Sequence, residues 1–408
     1  MISKLRVTIF SLLVFLCWNC TAQLPESKKI QNHIRVLAND SMQGRLTGSE
    51  GERLAARYIE SQFKALSLKP LGDGTSFTQS FEFKSGVHGT GTAGTANNIV
   101  AFLDNDAPNT IIIGAHYDHL GLGMDGSSLD ANPQGKIHNG ADDNASGAAG
   151  VLELARYFKT NKIKEKNNFL FICFSGEEMG LYGSKHFTEH PTIDLAKADF
   201  MVNLDMIGRL DQKNGISVSG SGTSPGWETL LKHLSTAELP IKTDSSGTGP
   251  SDHTSFYLKN MPVLHFFTGS HSDYHKPSDD VDKINAEGEQ KVLLLIIKLI
   301  ETVDAEPKLA FLTTKSKSMG GTRSFKVTLG IMPSYSSNEV GLKVDGVSEG
   351  KPAQKAGILT GDLIIQIGDY PIKDIQMYME ALGKFEKGQA VPVKVKRNGE
   401  EVSLNVVF

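Results

Sequence analysis

Ile111-Ile112-Ile113-Gly114-Ala115-His116-Tyr117-Asp118 carries an apolar strand straight into an imidazole and a carboxylate. The run from residue 110 to 115 is apolar at successive positions, so both of its faces are covered by other elements. Three further runs share this character, at 168–174, 200–204 and 262–267. Between and around them lie stretches with helical spacing. Residues 28–39 place Ile30, Ile34 and Leu37 on one face, and 49–66 place Leu54, Tyr58, Ile59, Phe63 and Leu66 likewise. Residues 145–159 and 290–303 read as two covering helices, and Thr47 or Ser49 is positioned to cap the helix over 49–66. Alternation of buried strands with helices predicts an α/β fold with a mixed, mostly parallel sheet sandwiched between helices.

The residues just past each run decide the chemistry. His116 ends the first, Glu177-Glu178 comes after the second, Asp205 after the third, and Tyr274-His275 lies past the fourth. Asp142-Asp143-Asn144 opens the helix over 145–159. In open α/β sheets, ligands bind beyond the carboxyl ends of the strands, so residues remote in sequence converge there. Two histidines and at least three carboxylates suit a pair of zinc ions bridged by one carboxylate, with a glutamate left to move protons. His116 and Asp118 are two apart and face the same way on an extended segment. One can bind metal while the other holds the imidazole. Glu177 and Glu178 are adjacent and point apart, so one can ligate while its neighbour faces substrate. The stretch 121–140, rich in Gly, Asp, Ser, Asn and Pro, reads as a long loop at the rim of the site.

The 408 residues suggest two domains. Hydrophobic content of 39%, charged content of 22% and a net charge of -4 are ordinary for a globular chain and exclude a basic nucleic-acid footprint. At the start, Lys4 and Arg6 precede an apolar run over 7–18, shorter than the roughly 20 residues that span a bilayer. Residues 1–22 therefore read as an export signal cleaved after Ala22, giving a periplasmic or secreted protein. The alternative is a lipid anchor on Cys20, the only route to a membrane that the sequence offers. Cys173 is then the sole cysteine of the folded part, inside a buried strand and inert. The metal-binding candidates belong to a domain over residues 23–306, with a linker at 307–321 and a small β-rich domain at 322–408. That last region alternates strand signals at 325–331, 341–344, 363–367, 391–397 and 402–407 with helical pieces at 352–356 and 376–384. Asn398-Gly399 is its tight hairpin turn.

The segments Ala115-His116-Tyr117-Asp118-His119, Gly140-Ala141-Asp142-Asp143-Asn144-Ala145-Ser146-Gly147, Phe174-Ser175-Gly176-Glu177-Glu178, Asn203-Leu204-Asp205-Met206-Ile207-Gly208 and Tyr274-His275 resemble the co-catalytic two-zinc aminopeptidase family. The resemblance covers roughly residues 25–305 and includes the bacterial leucyl aminopeptidases. It implies that Asp143 bridges two zinc ions, with His116 and Asp205 completing one site and Glu178 and His275 the other. It further implies Glu177 as general base, Tyr274 as a donor to the oxyanion and Asp118 as the residue that orients His116. Asp142 and Asp143 compete for the bridge, and the family pattern selects the residue before Asn144. A non-proline cis peptide is expected at Asp143-Asn144. The implied substrates are peptides with free N-termini. The loop at 249–253 resembles the family's substrate loop but lacks an arginine that some members place there, and it makes His253 a candidate substrate contact. His119, His138, His265 and His271 are read as structural or solvated.

Residues 322–408 resemble a PDZ domain, most clearly at Leu329-Gly330-Ile331 and at 357–364. The triplet fits a loop that cradles a peptide carboxylate beside an open sheet edge, which implies capture of peptide or protein tails. Other readings are a glutaminyl-cyclase-like or carboxypeptidase-type enzyme of the same fold, the cyclase tending to use one zinc, or a peptide-binding protein without catalysis.

Overall fold

The computed structural model describes residues 24–84, 93–124, 127–128, 130, 132–269, 271–304, 306–314, 327–333, 339–347, 350–373 and 375–408. The export signal, its cleavage point and Cys20 lie outside these residues, as does the linker beyond Thr314. Among the described residues, nine strands form the large sheet. Its centre is parallel: Asn167–Phe174, Asn109–His116, Ala198–Leu204 and Val263–Phe267 lie side by side in that order. Ala93–Leu103 adds an antiparallel neighbour on one side and Ile216–Ser219 on the other.

The strands are apolar throughout because both sheet faces are covered. Ile111, Ile113, Ala115, Phe169, Phe171 and Cys173 pack with the helices Ser27–Leu37, Glu50–Ala65, Gly147–Thr160 and Ala286–Val303. Ile112, Leu170, Ile172 and Phe174 face the other way, onto Phe187 and Phe256 of the helices Tyr182–Glu189 and His253–Tyr257. Each fully buried Ile or Phe contributes about 1.5–3 kcal/mol, enough to fix a register that a one-residue slip would turn inside out. Cys173 is buried in this core, and burial pushes its thiol up, out of reactive range. Ser49, not Thr47, caps Glu50–Ala65 by accepting the Glu52 N–H; Thr47 donates instead to Asp118 Oδ2 at 2.8 Å. The last helix begins at Ala286, four residues before the periodic apolar pattern, because Asn285 caps it on the Gly288 N–H.

A separate antiparallel sheet comes next, in the order Ile331–Pro333, Leu342–Val347, Leu363–Ile367, Ala390–Arg397, Glu400–Val407. Asn398 and Gly399 both take positive φ, 54° and 87°, which closes the hairpin between its last two strands. Of the stretch 325–331 expected to be a strand, residues 325–326 lie outside the described residues, and within the described part pairing starts only at Ile331. Leu329 is committed to the core there, and Gly330 turns the chain at φ 72°. The first part of the expected linker is bound rather than loose. Leu309 N–H donates to Asp199 Oδ1 (2.7 Å), Leu312 N–H to the Thr223 carbonyl (2.8 Å), and Thr314 N–H to the Tyr257 hydroxyl (2.9 Å). Among the described residues no helix is long and apolar enough to cross a membrane.

A buried polar cluster links the helices Ser27–Leu37 and Gly147–Thr160. Glu153, fully buried, accepts from Arg156 Nε (2.9 Å) and Nη2 (2.7 Å), and sits 3.6 Å from His33 Nε2. Burial would raise this carboxyl, but His33 and Arg156 hold it down at about 2, against 4.5 in an open chain. The folded value is depressed, so the stabilisation is complete above about pH 4.5 and disappears as pH falls toward 2. Glu153→Gln should therefore destabilise the large domain at pH 7 by on the order of 3 kcal/mol. In denaturant titrations the gap from the parent should close as the pH is lowered through that window; a gap indifferent to pH would contradict the assignment.

Candidate metal centre

The parallel strands deliver their C-termini to one rim. His116 is the last residue of its strand and lies in register with Phe174, while Gly114, two residues earlier, pairs with Asn203, so Glu177-Glu178 and Asp205 emerge beside it. Asp143 arrives from the segment Ala141–Ser146, and His275 from the loop after Val263–Phe267. Asp143 Oδ1 faces His116 Nε2 at 3.5 Å, while its Oδ2 faces His275 Nε2 at 3.3 Å. Asp205 Oδ1 completes the first cluster, 3.5 Å from His116 Nε2, and Glu178 Oε2 the second, 3.1 Å from His275 Nε2. Donor atoms 2.0–2.2 Å from a tetrahedral zinc stand about 3.3–3.6 Å apart, so the Asp143 and Asp205 contacts have that spacing, the His275–Glu178 contact is slightly shorter, and both clusters have the N/O chemistry of zinc sites. His116, Asp143 and Asp205 form one group able to hold a metal ion.

The other ring nitrogens have the backbone acceptors that ligating histidines require. His275 Nδ1 donates to the Ser127 carbonyl at 3.0 Å. His116 Nδ1 lies 3.3 Å from the Asp118 carbonyl and 3.7 Å from its carboxylate, so the peptide oxygen makes the closer contact with the ring. The Asp118 carboxylate instead accepts the Glu177 N–H through Oδ1 (3.2 Å) and the Thr47 hydroxyl through Oδ2. Thus it fixes the backbone of Glu177, whose Oε2 stands 4.0 Å from His116 Nε2. Tyr274 stacks on His275, ring centroids 3.9 Å apart. Its phenol is raised by burial and by the surrounding carboxylates of Asp143, Glu178, Glu177 and Asp205.

Asp142 turns away from both clusters, accepting the Gly208 N–H at 2.7 Å and facing His271 Nε2 at 3.1 Å. Asp143, not Asp142, therefore faces both histidines, and the Asp143-Asn144 peptide is cis. Charges in the cluster oppose one another. Burial works against protonating His116, yet Glu177, Asp118 and Asp205 push it well above its ordinary value. His275 is pushed up to about 12: Glu178 and Asp143 overcome the opposing effect of burial. Burial raises Glu177 strongly, helped by Glu178, Asp205 and Asp252 and opposed by His116. A site this rich in buried anions favours a cation.

Three residues near the centre were not picked out by the sequence. Arg45 is buried in full and donates to the carbonyls of Tyr117 (2.7 Å), Leu37 (2.7 Å), Asn139 (2.7 Å) and Gly140 (3.0 Å). Burial lowers it to about 10, so it stays charged beside Asp118 and Asp143. Asp279 Oδ2 accepts the N–H groups of both Asp142 and Asp143, each at 3.0 Å, and its Oδ1 binds Arg209. His119, expected to be structural or solvated, is buried with its Nδ1 2.7 Å from Glu178 Oε1. Its signal was present in the His-Tyr-Asp-His run; Arg45 and Asp279 had none beyond spacing. His253, the candidate substrate contact, is fully buried and stacks on His265 at 4.5 Å; burial and His265 lower it well below the ordinary range. In the small domain, Ile331 opens the edge strand while the Leu329 side chain is buried in the core.

Parallel sheet, flanking helices and a rim of histidines and carboxylates define the zinc exopeptidase fold. Residues 98–300 match the model of Peptidase family M28, and residues 327–407 match that of the PDZ domain, so the chain carries an M28 peptidase domain followed by a PDZ domain. It is similar to Aminopeptidase YwaD of Bacillus subtilis, 29% identical over 215 residues, which cover 49% of this chain and 43% of that protein. The chain spans about half the length of the curated relatives it matches first. Among solved structures, the Legionella pneumophila LapA aminopeptidase aligns with a TM-score of 0.52 at 24% identity, over 69% of this chain and 72% of that one. The Bacteroides thetaiotaomicron glutaminyl cyclase bound to N-acetylhistamine aligns with a TM-score of 0.57 at 16% identity, over 70% and 100%. Both share the fold.

Arg45→Met should take the guanidinium donor from the buried carbonyls of Leu37, Tyr117 and Asn139, leave Gly140 only the Ala145 N–H, and cost at least about 3 kcal/mol of stability in the large domain. Arg45→Lys should recover little, since an ammonium cannot span the positions of a planar guanidinium. Denaturant titration of both variants checks this; a lysine variant as stable as the parent would contradict it.

Proposed function

We propose that the chain is an exported metallo-aminopeptidase that removes N-terminal residues from peptides using two zinc ions. The observation that carries this reading is the division of Asp143, one carboxylate oxygen toward each histidine. His116, Asp143 and Asp205 would hold one ion, and Asp143, Glu178 and His275 the other. When bound, the ions would supply Lewis acidity that brings the pKa of a water toward neutrality and polarises the scissile carbonyl.

The chain's own groups do the rest. Glu177, fixed through its N–H by Asp118, is the general base that accepts the proton of the attacking water and returns it to the leaving amine. The Tyr274 hydroxyl, neutral at any working pH, donates to the oxyanion that develops on the carbonyl. The acidic rim receives the free amine of the substrate. Similarity to Aminopeptidase YwaD supports this class of substrate. The PDZ domain would capture peptide or protein tails along the open edge of Ile331–Pro333, raising their concentration near the peptidase. Export through residues 1–22, or anchoring at Cys20, would put the work outside the cytoplasm.

A panel of aminoacyl reporter substrates, assayed with and without chelator, tests the reading. Activity should vanish with chelator and return with zinc. Glu177→Gln should lower kcat by roughly 10²–10⁴-fold with little change in KM. Full activity in that variant, or in the chelated protein, would remove the proposed chemistry. Loss of ammonia from a glutaminyl reporter, with the cyclised residue left attached and no free amino acid formed, would select the cyclase reading. For the tether, deletion of residues 320–408 should weaken kcat/KM for long peptides and spare dipeptide reporters. Equal behaviour on both would dismiss it.

A further inference from the structure

We infer that His119 is a positioning residue of the second metal site: its imidazole holds Glu178 by one oxygen and so leaves a single oxygen to face His275 and the metal. The inference rests on the two-zinc reading above and adds a residue to it. Glu178 is gripped at both ends. Its Oε1 lies 2.7 Å from His119 Nδ1, and its Oε2 lies 3.1 Å from His275 Nε2.

The two distances mean different things. Atoms sharing a zinc stand about 3.3–3.6 Å apart, and the pairs made by His116 and His275 with Asp143 and Asp205 fall at 3.3–3.5 Å. The His119–Glu178 contact is shorter, at the length of a charge-assisted hydrogen bond. A carboxylate only accepts, so Nδ1 carries the proton and donates it. His119 Nδ1 is 3.9 Å from Asp143 Oδ2, beyond hydrogen-bonding reach, so although His119, Asp143 and Glu178 lie close enough to share an ion, the hydrogen bond itself goes to Glu178.

The ring is built into place. His119 is fully buried, and its N–H donates to the Arg45 carbonyl at 3.2 Å. A Cβ on Gly140 would stand 2.5 Å from the imidazole Cγ and Cδ2, so only glycine lets the backbone lie against the ring. Its edge meets the His275 ring at 74°, centroids 5.9 Å apart. His119 Nε2 is buried with no partner among the described residues, so the Glu178 bond is the side chain's one polar contact there. A histidine kept for packing would leave neither nitrogen aimed at a ligand candidate. Without His119 the carboxylate can swing or chelate through both oxygens, and loss of such an orienting partner typically weakens metal binding about 10–100-fold.

The test is competitive zinc titration of the full-length metal-free chain against a chromophoric chelator, for the parent, His119→Ala and His119→Asn. The parent should take up two zinc ions. His119→Ala should weaken the second about 10–100-fold and leave the first nearly unchanged. His119→Asn, which places an amide N–H near Nδ1, should recover most of the loss. Unchanged affinities in His119→Ala, an equal fall in both, or no recovery with asparagine would overturn the inference while leaving the two-zinc reading intact. One zinc or none in the parent would overturn that reading and this inference with it. A second measurement needs no variant. In zinc-loaded chain labelled with ¹⁵N-histidine, Nδ1 of His119 should be protonated, and a bare Nδ1 there would refute the proposal even if the alanine variant fails to fold.

Discussion

Everything about this site depends on one carboxylate being shared between two imidazoles, one ending a strand and the other on the loop after a different strand. Asp143 can face His116 with Oδ1 and His275 with Oδ2 only if its backbone is held at the mid-line of the rim. Three contacts hold it there. Asp279 receives its N–H and that of Asp142, Asn144 bonds across to the Leu204 carbonyl and the Met206 and Gly147 N–H groups, and Asp142 is drawn off to Gly208. The sheet supplies the rest, because strands in parallel register end together and present their last side chains to a common space. Buried anions at this density repel one another. Protonated His116 and His275 offset that repulsion in the metal-free chain, and cations are suited to replace them.

The parts visible in the sequence were those where one residue type answers one constraint. The four central strands were legible because burial on both faces demands unbroken apolar runs. His116, Asp205 and the Glu177-Glu178 pair were legible because polarity at the end of such a run has no packing explanation. Asp143 could be told from Asp142 only through family resemblance; its physical reason, the Gly208 N–H claiming Asp142, is a contact 66 residues distant in sequence. Arg45 was invisible because its four acceptors are carbonyls, and a carbonyl has no sequence signature. His119 could be read only as structural or solvated, because its partner, Glu178, lies 59 residues away past another strand end. The early start of Ala286–Val303 was a capping effect at Asn285, outside the apolar periodicity.

The connection to the PDZ domain also departs from its composition. Lys, Ser and Thr suggested a free linker, yet residues 306–314 lie along the peptidase, hydrogen-bonded by their backbone at Leu309, Leu312 and Thr314. Thr314 reaches both Tyr257 and the Gly247 N–H, and so ends beside the loop that leads into His253–Tyr257.

The central claim is that two cations sit either side of Asp143. Anomalous scattering at the zinc edge from crystals of the zinc-loaded chain tests it directly. The account predicts two peaks about 3.5–4 Å apart, one within bonding distance of His116 and Asp205 and the other of Glu178 and His275, with an Asp143 oxygen on each. A single peak, or a pair that leaves Asp143 bound to one ion, would contradict it.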